Sequence, residues 1–398
     1  MNTAGIHQGR RVDGPSADHA RRVGAEVRRR FGTFVRECVD PGAEERDALG
    51  VGCPPEVIRE AREVGLFTLA LPKELGGGGA DLYEWGLVLE QLGYLCDDAS
   101  FPALLSARVW VTDTLFRAAR PEHIERYVVP MARAERFGSF AYSDGADPFD
   151  FSSTLRRDGS DLVVNGEKTI VTGATSADIF VVFLNDEASG DLVVVLVERD
   201  DPGVRVESVA SLGVRGLGLG ALRMEDVRVP GDRLVVASDG LTFAQRMLNA
   251  RRVLLVAGLV GAMQAVHERC IAHLSATFRY GMPLIEMQNV QAAVGRQYIA
   301  VEGSRAILHR ALSRLAGHEG RIDPEFDPVI SAAKHEITNR GIELAISSLR
   351  LLGGRGYLRG PAERFLRDTC SLLAAGGTQD VLEIDLGVRA ATEFGVTP

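Results

Sequence analysis

The spacing of hydrophobic residues changes twice along the chain and divides it into three parts. From residue 21 to 136 the apolar positions recur every three or four residues, as on one face of a helix. From 137 to 236 the apolar runs are short and are separated by turn residues, as in β-strands. From 237 to 398 the helical spacing returns in longer stretches. Residues 1–20 follow neither spacing, so we predict a flexible tail there.

The middle part predicts about six or seven short strands in a compact antiparallel sheet or barrel. The pair Asn165-Gly166 predicts a tight hairpin turn, because both residues tolerate positive φ. The strands of that hairpin would be Leu162–Val164 and Thr169–Val171. The other predicted strands are Ile179–Leu184, Leu192–Val197, Val204–Val209 and Leu222–Val229.

The last part predicts a bundle of long helices. They are Leu241–Ala276, Ile285–Leu315, Pro328–Leu352, Pro361–Leu373 and Asp380–Thr392. The element order therefore predicts an α+β protein, mostly α, with an N-terminal helical domain, a middle antiparallel β domain and a C-terminal helical bundle.

Charge and cysteine content narrow the class of protein. A formal net charge of −9 argues against a nucleic-acid partner, because neutralising phosphates needs a basic face. The five cysteines are widely spaced and contain no CxxC, which indicates neither a disulfide framework nor a zinc site. This usage fits a cytoplasmic protein. The longest apolar run, Val253–Val266, is too short to span a membrane.

A glycine-rich turn after a long helix is the first candidate for chemistry. Gly353, Gly354 and Gly356 offer bare backbone N–H groups, and Arg350 and Arg355 add positive charge, as a phosphate site requires. A second glycine pair, at 376–377, follows the next helix. Taken alone, this stretch fits two ordinary helix caps equally well.

Two other patterns do not indicate a site. His267 and His273 stand six residues apart and therefore on different faces of one helix, so no metal site is predicted. The spacing Gly216-x-Gly218-x-Gly220 lies inside the β part, without the strand-to-helix change that a dinucleotide loop needs.

Seven segments, in this order, resemble the acyl-CoA dehydrogenase family of flavoproteins. They are GLFTLALPKELGGGG, VVNGEKTIVTGATSADIFVV, LGVRGLGLGALRMEDVRVP, ARRVLLVAGLVGAMQA, FRYGMPLIEMQNVQ, LLGGRGYLRGPAERFLRD and GGTQD. The resemblance runs from about Arg22 to Thr392. It implies FAD between the β domain and the bundle, with part of the site supplied by a neighbouring subunit in a homodimer or homotetramer. The implied reaction removes an α-proton from an acyl thioester and passes the β-hydride to the flavin. The implied electron acceptor is an electron-transfer flavoprotein or oxygen.

The resemblance also implies cofactor-binding residues. Thr172 matches the hydroxyl that reaches the flavin ring, and Ile170 stands where an aromatic residue is usual. The glycine-rich turn matches the loop at the pyrophosphate. Gln288 and Thr378 also match cofactor-side positions. Arg279 lies two residues after Thr277, which stands where the family has an arginine, and Arg350 stands where the family has a glutamine, as a replacement contact to the pyrophosphate.

The departures from the family concern the general base. The place of the usual glutamate is Gly376, and the alternative place on the first bundle helix is Arg251. Neither accepts a proton at neutral pH, because glycine has no side chain and arginine stays charged. Asp380 and Glu383 are the nearest substitutes by sequence.

The residues around the missing base still suggest substrate contacts. Arg251 beside Arg252 offers a site for a carboxylate or phosphate, although a salt bridge is equally consistent with the pair. The N–H of Gly376 can still polarise a thioester oxygen.

Three functions remain open. The first is an FAD-dependent oxidoreductase for acyl groups bound to coenzyme A or a carrier protein, acting on CH–CH groups with a relocated or absent base. The second is a flavin monooxygenase-like branch of the fold. The third is a redox-silent subunit that pairs with an active homologue in a hetero-oligomer.

Overall fold

The structure, a computed structural model, describes residues 17–145, 151–316 and 327–396. Its first part is helical. The helices are α1 (Ala17–Phe34), α2 (Ala43–Leu49), α3 (Pro55–Glu63), α4 (Leu82–Leu95), α5 (Ser100–Ala118), α6 (Pro121–His123) and α7 (Val129–Ala132). The predicted tail, residues 1–20, lies outside the described residues except for its last four, which begin α1. The Asp81 side chain caps α4 by accepting from the Glu84 N–H at 2.8 Å.

The middle part is one eight-stranded sheet. Its strands are β1 (Gly138–Ala141), β2 (Thr154–Asp158), β3 (Asp161–Val171), β4 (Ile179–Asp186), β5 (Leu192–Glu198), β6 (Val204–Ser208), β7 (Gly220–Pro230) and β8 (Leu234–Val236). The order is β6-β7-β3-β2-β4-β5-β8, with β1 also paired to β4. Because β1 and β2 both run parallel to β4, the sheet is mixed and not wholly antiparallel.

The predicted hairpin turn at Asn165-Gly166 is wrong. Both residues lie inside the continuous strand β3, where the register against β7 shifts between Val164 and Gly166. The Asn165 side chain accepts from the Asp226 N–H at 2.7 Å across this bulge. Gly166 has φ of 133°, and a Cβ there would lie 2.4 Å from the Ser153 Oγ. The glycine therefore serves a bulge and a close approach, and the hairpin turns earlier, between β2 and β3.

The last part is a bundle around one long helix. Its elements are α8 (Gly240–Ala276), the short strands β9 (Phe278–Arg279) and β10 (Met282–Pro283), α9 (Gln288–Ala316), α10 (Pro328–Leu352), α11 (Pro361–Cys370) and α12 (Gln379–Glu393). Helix α10 begins as predicted, with the Asp327 side chain accepting from the Val329 and Ile330 N–H groups.

Helix α8 joins the bundle to the N-terminal helices. It packs against α4, α9 and α10. A Cβ on Gly93 would lie 1.9 Å from the carbonyl oxygen of Gly258, so α4 and α8 approach as closely as two backbones can. By length and composition α8 is the one helix of the described chain that would suffice to cross a membrane, and 61% of its most apolar window is buried inside the protein. Its core position accounts for that composition.

Candidate functional site

A cavity of about 1160 Å³ opens where the three parts of the chain meet. Helices α4 and α5, the β sheet, α8 and the segment from α11 to α12 all contribute side chains to its wall. Most of that wall is apolar. Pockets for a single small molecule usually hold roughly 300–1,000 Å³, so this cavity has room for two bound groups side by side.

Thr172 and Arg251 form the polar contact between the β sheet and α8. Thr172 follows the end of β3, and its Oγ1 accepts a hydrogen bond from Arg251 Nη2 at 2.9 Å. Both residues line the cavity. Burial lowers the pKa of Arg251, because removal from water disfavours the charged form.

Arg252 holds the turn before α12. Its Nε donates to the Gly376 carbonyl at 2.7 Å, and Nη1 donates to Asn249 Oδ1 at 3.3 Å. Burial lowers the pKa of Arg252 to about 10, and the negative charge of Asp385 opposes that change. Both arginines line the cavity, but Arg252 is held by hydrogen bonds to Gly376 and Asn249.

The Gly376-Gly377 turn is fixed by a second cation. Lys334 is fully buried on α10 and donates from Nζ to the Gly377 carbonyl at 2.7 Å. Burial, together with the charge of Arg252, lowers the pKa of Lys334 to about 8. Gly376 and Gly377 have φ of 76° and 104°, a left-handed backbone that favours glycine. Within the described residues no hydrogen bond uses their N–H groups.

Neither place expected for a general base holds a carboxylate. Gly376 and Arg251 both line the cavity, so the structure brings the two positions together. The substitutes suggested by sequence lie outside the cavity wall. Asp380 is exposed in the first turn of α12, and Glu383 accepts from His335 Nε2 at 2.7 Å on an exposed surface.

Two other carboxylates do line the cavity. Asp385 lies on the face of α12 that meets the cavity and pairs with Arg389 at 3.1 Å. Asp368 lies on α11, and its Oδ1 accepts from the Val214 N–H at 2.6 Å. The sequence indicates that Asp385 lies on the apolar face of its helix, because Val381, Asp385 and Val388 recur at helical spacing. No spacing distinguished Asp368 from a solvated acid.

Asp368 fastens the bundle to the β part. Burial and the charges of Asp98 and Asp47 raise its pKa to about 7, although the Val214 N–H and Arg364 act in the opposite direction. Beside it, Arg367 donates to Asp47 Oδ2 at 2.6 Å. Helix α11 therefore bonds to both other parts of the chain next to the cavity.

The residues matched to the pyrophosphate do not line this cavity. Gly353, Gly354 and Gly356 form a short 3₁₀ turn after α10. A Cβ on Gly356 would lie 2.4 Å from the Leu349 carbonyl oxygen, so the turn requires glycine there. Also outside the cavity wall, with exposed side chains, are Arg279, Gln288 and Arg350. The cavity brings together the other matched residues, which are Thr172, Arg251, Arg252, Gly376 and Thr378.

The cavity wall fits a flavin ring. Its apolar surface suits the flat aromatic system, and the Thr172 hydroxyl supplies a polar contact at the edge of the sheet. Gln245 also lines the cavity, and its buried Oε1 has no hydrogen-bond partner within the described residues. A donor on a bound group, or a water molecule, would satisfy this buried acceptor.

Comparison with known proteins identifies the family. The acyl-CoA dehydrogenase N-terminal, middle and C-terminal domains match residues 24–135, 142–227 and 238–391. Glutaryl-CoA dehydrogenase of Desulfococcus multivorans is 26% identical over 373 residues, which are 90% of this chain and 95% of that protein.

Solved structures show the same fold. Butyryl-CoA dehydrogenase from Megasphaera elsdenii superimposes with a TM-score of 0.86 at 21% identity and covers 95% of this chain and 100% of its own. The prolyl acyl carrier protein oxidase AnaB superimposes with a TM-score of 0.85 at 21% identity and covers 94% and 99%. A β domain between two helical parts is the arrangement expected from the sequence, and the chain belongs to the acyl-CoA dehydrogenase family.

Proposed function

We propose that this protein is an FAD-dependent oxidoreductase that acts on an acyl thioester without a general base in either of the usual places. The observation that carries the proposal is the cavity itself. It combines Thr172 and an unpaired Gln245 acceptor on its wall with a glycine turn whose N–H groups are free among the described residues. Bound FAD would supply a two-electron acceptor there.

The Gly376-Gly377 turn is suited to hold the thioester oxygen. Arg252 and Lys334 each donate to one of its carbonyls, at 2.7 Å in both cases, and so keep the turn in its left-handed conformation. A donated cationic hydrogen bond also polarises the peptide group, which strengthens the next N–H as a donor. Two fixed N–H groups facing a mostly apolar cavity can stabilise negative charge on a thioester oxygen.

A second copy of the chain would complete the cofactor site. The glycine turn at 353–357 and Arg279 lie outside the cavity wall, so one chain alone does not present them to a group bound there. Exposed aromatic side chains adjoin both places: Tyr357 is 92% exposed and Tyr280 is 94% exposed. Large exposed apolar side chains of this kind are typical of protein interfaces. These features support a homodimer or homotetramer.

The acyl carrier and the electron acceptor belong to the same proposal. Among the relatives and solved structures are a glutaryl-CoA dehydrogenase and a prolyl acyl carrier protein oxidase, so both coenzyme A and a carrier protein are reasonable carriers. Either an electron-transfer flavoprotein or oxygen would reoxidise the cofactor.

The missing base favours a second candidate. A monooxygenase-like reaction, in which the reduced cofactor activates oxygen, needs no residue to remove an α-proton, and neither Gly376 nor Arg251 can do so. The same observation is compatible with a redox-silent subunit that completes the site of an active homologue.

Purification of the chain alone separates these functions. We expect a yellow protein with about one FAD per chain, reduced by an acyl thioester when oxygen is excluded. Consumption of oxygen by the reduced protein, without reduction by thioesters, would favour the monooxygenase. A colourless protein that does not take up added FAD would contradict both oxidoreductase proposals and favour the silent subunit.

A further inference from the structure

Arg251 lines the cavity, and none of the described residues forms an ion pair with it. Its one hydrogen bond within the described part of the chain is to the neutral Thr172 Oγ1. Burial lowers its pKa, and among the residues that the structure describes no carboxylate acts in the opposite direction. Arg251 is half-buried at the cavity wall, and its hydrogen bond to Thr172 is partly shielded from water, so an anion that enters the cavity gains a charged donor there.

Arg252, the next residue on the same helix, has a structural role. Arg252 donates to Gly376 and Asn249, and the charge of Asp385 acts on it. Arg251 uses one of the five N–H donors of its guanidinium group on Thr172. The remaining donors form a planar fork on the cavity side, and such a fork binds a carboxylate through two parallel hydrogen bonds.

We propose that Arg251 binds a carboxylate on the acyl group, so that the substrate is the thioester of a short dicarboxylic acid. This inference rests on the proposed function, because it places the acyl group beside Thr172 and the Gly376-Gly377 turn. The phosphates of coenzyme A or of a carrier arm stand at the far end of the pantetheine chain from the thioester. The anion that reaches Arg251 is therefore part of the acyl group itself.

The same geometry predicts selectivity. A neutral acyl group of equal length would give the arginine no charged partner in the cavity, and a site built around a polar group rejects ligands that lack its partner. The other walls near Arg251, formed by Leu248, Leu254 and Leu255, offer a neutral acyl group only apolar contact. Charge and not chain length would then decide which thioester is accepted.

The binding of matched neutral and charged ligands tests whether the site selects a carboxylate. The probes are N-acetylcysteamine derivatives of succinic and glutaric acid, each compared with its methyl ester, with an amide in place of the thioester so that no turnover occurs. These probes carry no phosphate, so the acyl carboxylate is their only negative charge. Binding to the FAD-loaded protein is measured by titration calorimetry. We expect the free acid to bind on the order of 30-fold more tightly than its methyl ester.

Variants assign that preference to Arg251. Arg251→Gln should remove the preference for the free acid, and Arg251→Lys should keep part of it. Arg246→Gln is the matched control, because Arg246 lies on the same helix with an exposed side chain outside the cavity wall, and it should leave the preference unchanged. Phosphate ions added to the titration should not reproduce the effect of the carboxylate.

Several results would overturn the inference. If the acid and the ester bind equally to the wild-type protein, the inference about Arg251 is wrong and the proposed function is unaffected. Binding of neither probe to protein that carries FAD removes both proposals. Thermal unfolding supplies a control that needs no ligand: Arg251→Met should not lower the unfolding temperature if the charge is unpaired. A large decrease would mean that a carboxylate of the protein already pairs with Arg251, and that also overturns the inference.

Discussion

Replacing Asp368 with asparagine should change how the stability of the protein depends on pH. Asp368 is buried at the cavity wall and accepts a hydrogen bond from the Val214 N–H. Burial, with the charges of Asp98 and Asp47, raises its pKa from 3.8 to about 7. Asparagine keeps an acceptor oxygen for Val214 and removes the charge, so the variant isolates the effect of ionisation.

The size of the effect follows from the two pKa values. A carboxyl group whose pKa is raised by folding stabilises the protein fully below its unfolded pKa, and this stabilisation is lost as pH rises through the folded pKa. With an unfolded value of 3.8 and a folded value of about 7, the loss between pH 5 and pH 8 is about 2.5 kcal/mol. The asparagine variant lacks this loss. Relative to the wild type, it should therefore be more stable at pH 8 than at pH 5 by about that amount.

Urea unfolding at the two pH values measures this difference. The signal is the fluorescence of Trp85 and Trp110, both of which are buried, and Trp110 donates to the Met247 carbonyl on α8. Asp380→Asn, the same change on an exposed side chain, is the control and should show no such pH dependence. If Asp368→Asn differs from the wild type equally at both pH values, Asp368 does not titrate between them and the reasoning is refuted.

Three further variants test the two glycine turns. Gly376→Glu makes a tight contact, since its Cβ would lie 3.3 Å from Arg252 Cγ, and the φ of 76° destabilises the variant by roughly 1–2 kcal/mol. In stopped-flow absorbance we expect this variant to increase the rate of flavin reduction by a saturated acyl thioester on the order of 100-fold. An unchanged rate in FAD-loaded protein would contradict this prediction. Lys334→Met should weaken thioester binding about tenfold, because the Gly377 carbonyl loses a charged donor. With a pKa of about 8 for Lys334, wild-type affinity should fall above that pH, whereas a flat profile would argue against the role. Gly356→Ala should destabilise its turn by about 1–3 kcal/mol, because the new Cβ meets the Leu349 carbonyl at 2.4 Å. Its FAD content after gel filtration should decrease, and full retention would separate the turn from the cofactor.

The sequence predicted the elements well where a periodic apolar face coincides with a local boundary signal. Helix α10 has both, since Asp327 and Pro328 begin it and a glycine follows its last residue, and its predicted bounds agree with the structure. The Asn165-Gly166 turn failed because a dipeptide reports only which backbone angles are permitted. Packing against Ser153 and pairing with β7 decided how those angles are used. Such contacts join residues far apart in sequence, so no local pattern contains them.

The candidate site likewise contains residues that the sequence predicted and residues that it did not. Thr172, Gly376 and Arg251 were found because they stand in recognisable segments, and the structure brings them to one cavity. Asp385 and Asp368 were missed as cavity residues because their position depends on how α11 and α12 pack against the rest of the chain. The turn at 353–357 lies away from the cavity. The resemblance implies a site shared between subunits, and the sequence of one chain does not show which copy would serve which cavity.

A carboxylate at position 376 and the arginine at position 251 would affect each other electrostatically. A glutamate at position 376 would project toward Arg252, with Lys334 bound to the adjacent carbonyl and Arg251 on the same wall. Nearby cations favour the ionised carboxylate and lower its pKa, which weakens it as a base. A paired glutamate would in turn occupy the charge that Arg251 now offers to a ligand. A glutamate at 376 and the arginine at 251 would therefore oppose each other, because the arginine lowers the pKa of the glutamate and the glutamate takes up the charge that Arg251 offers to an anionic acyl group.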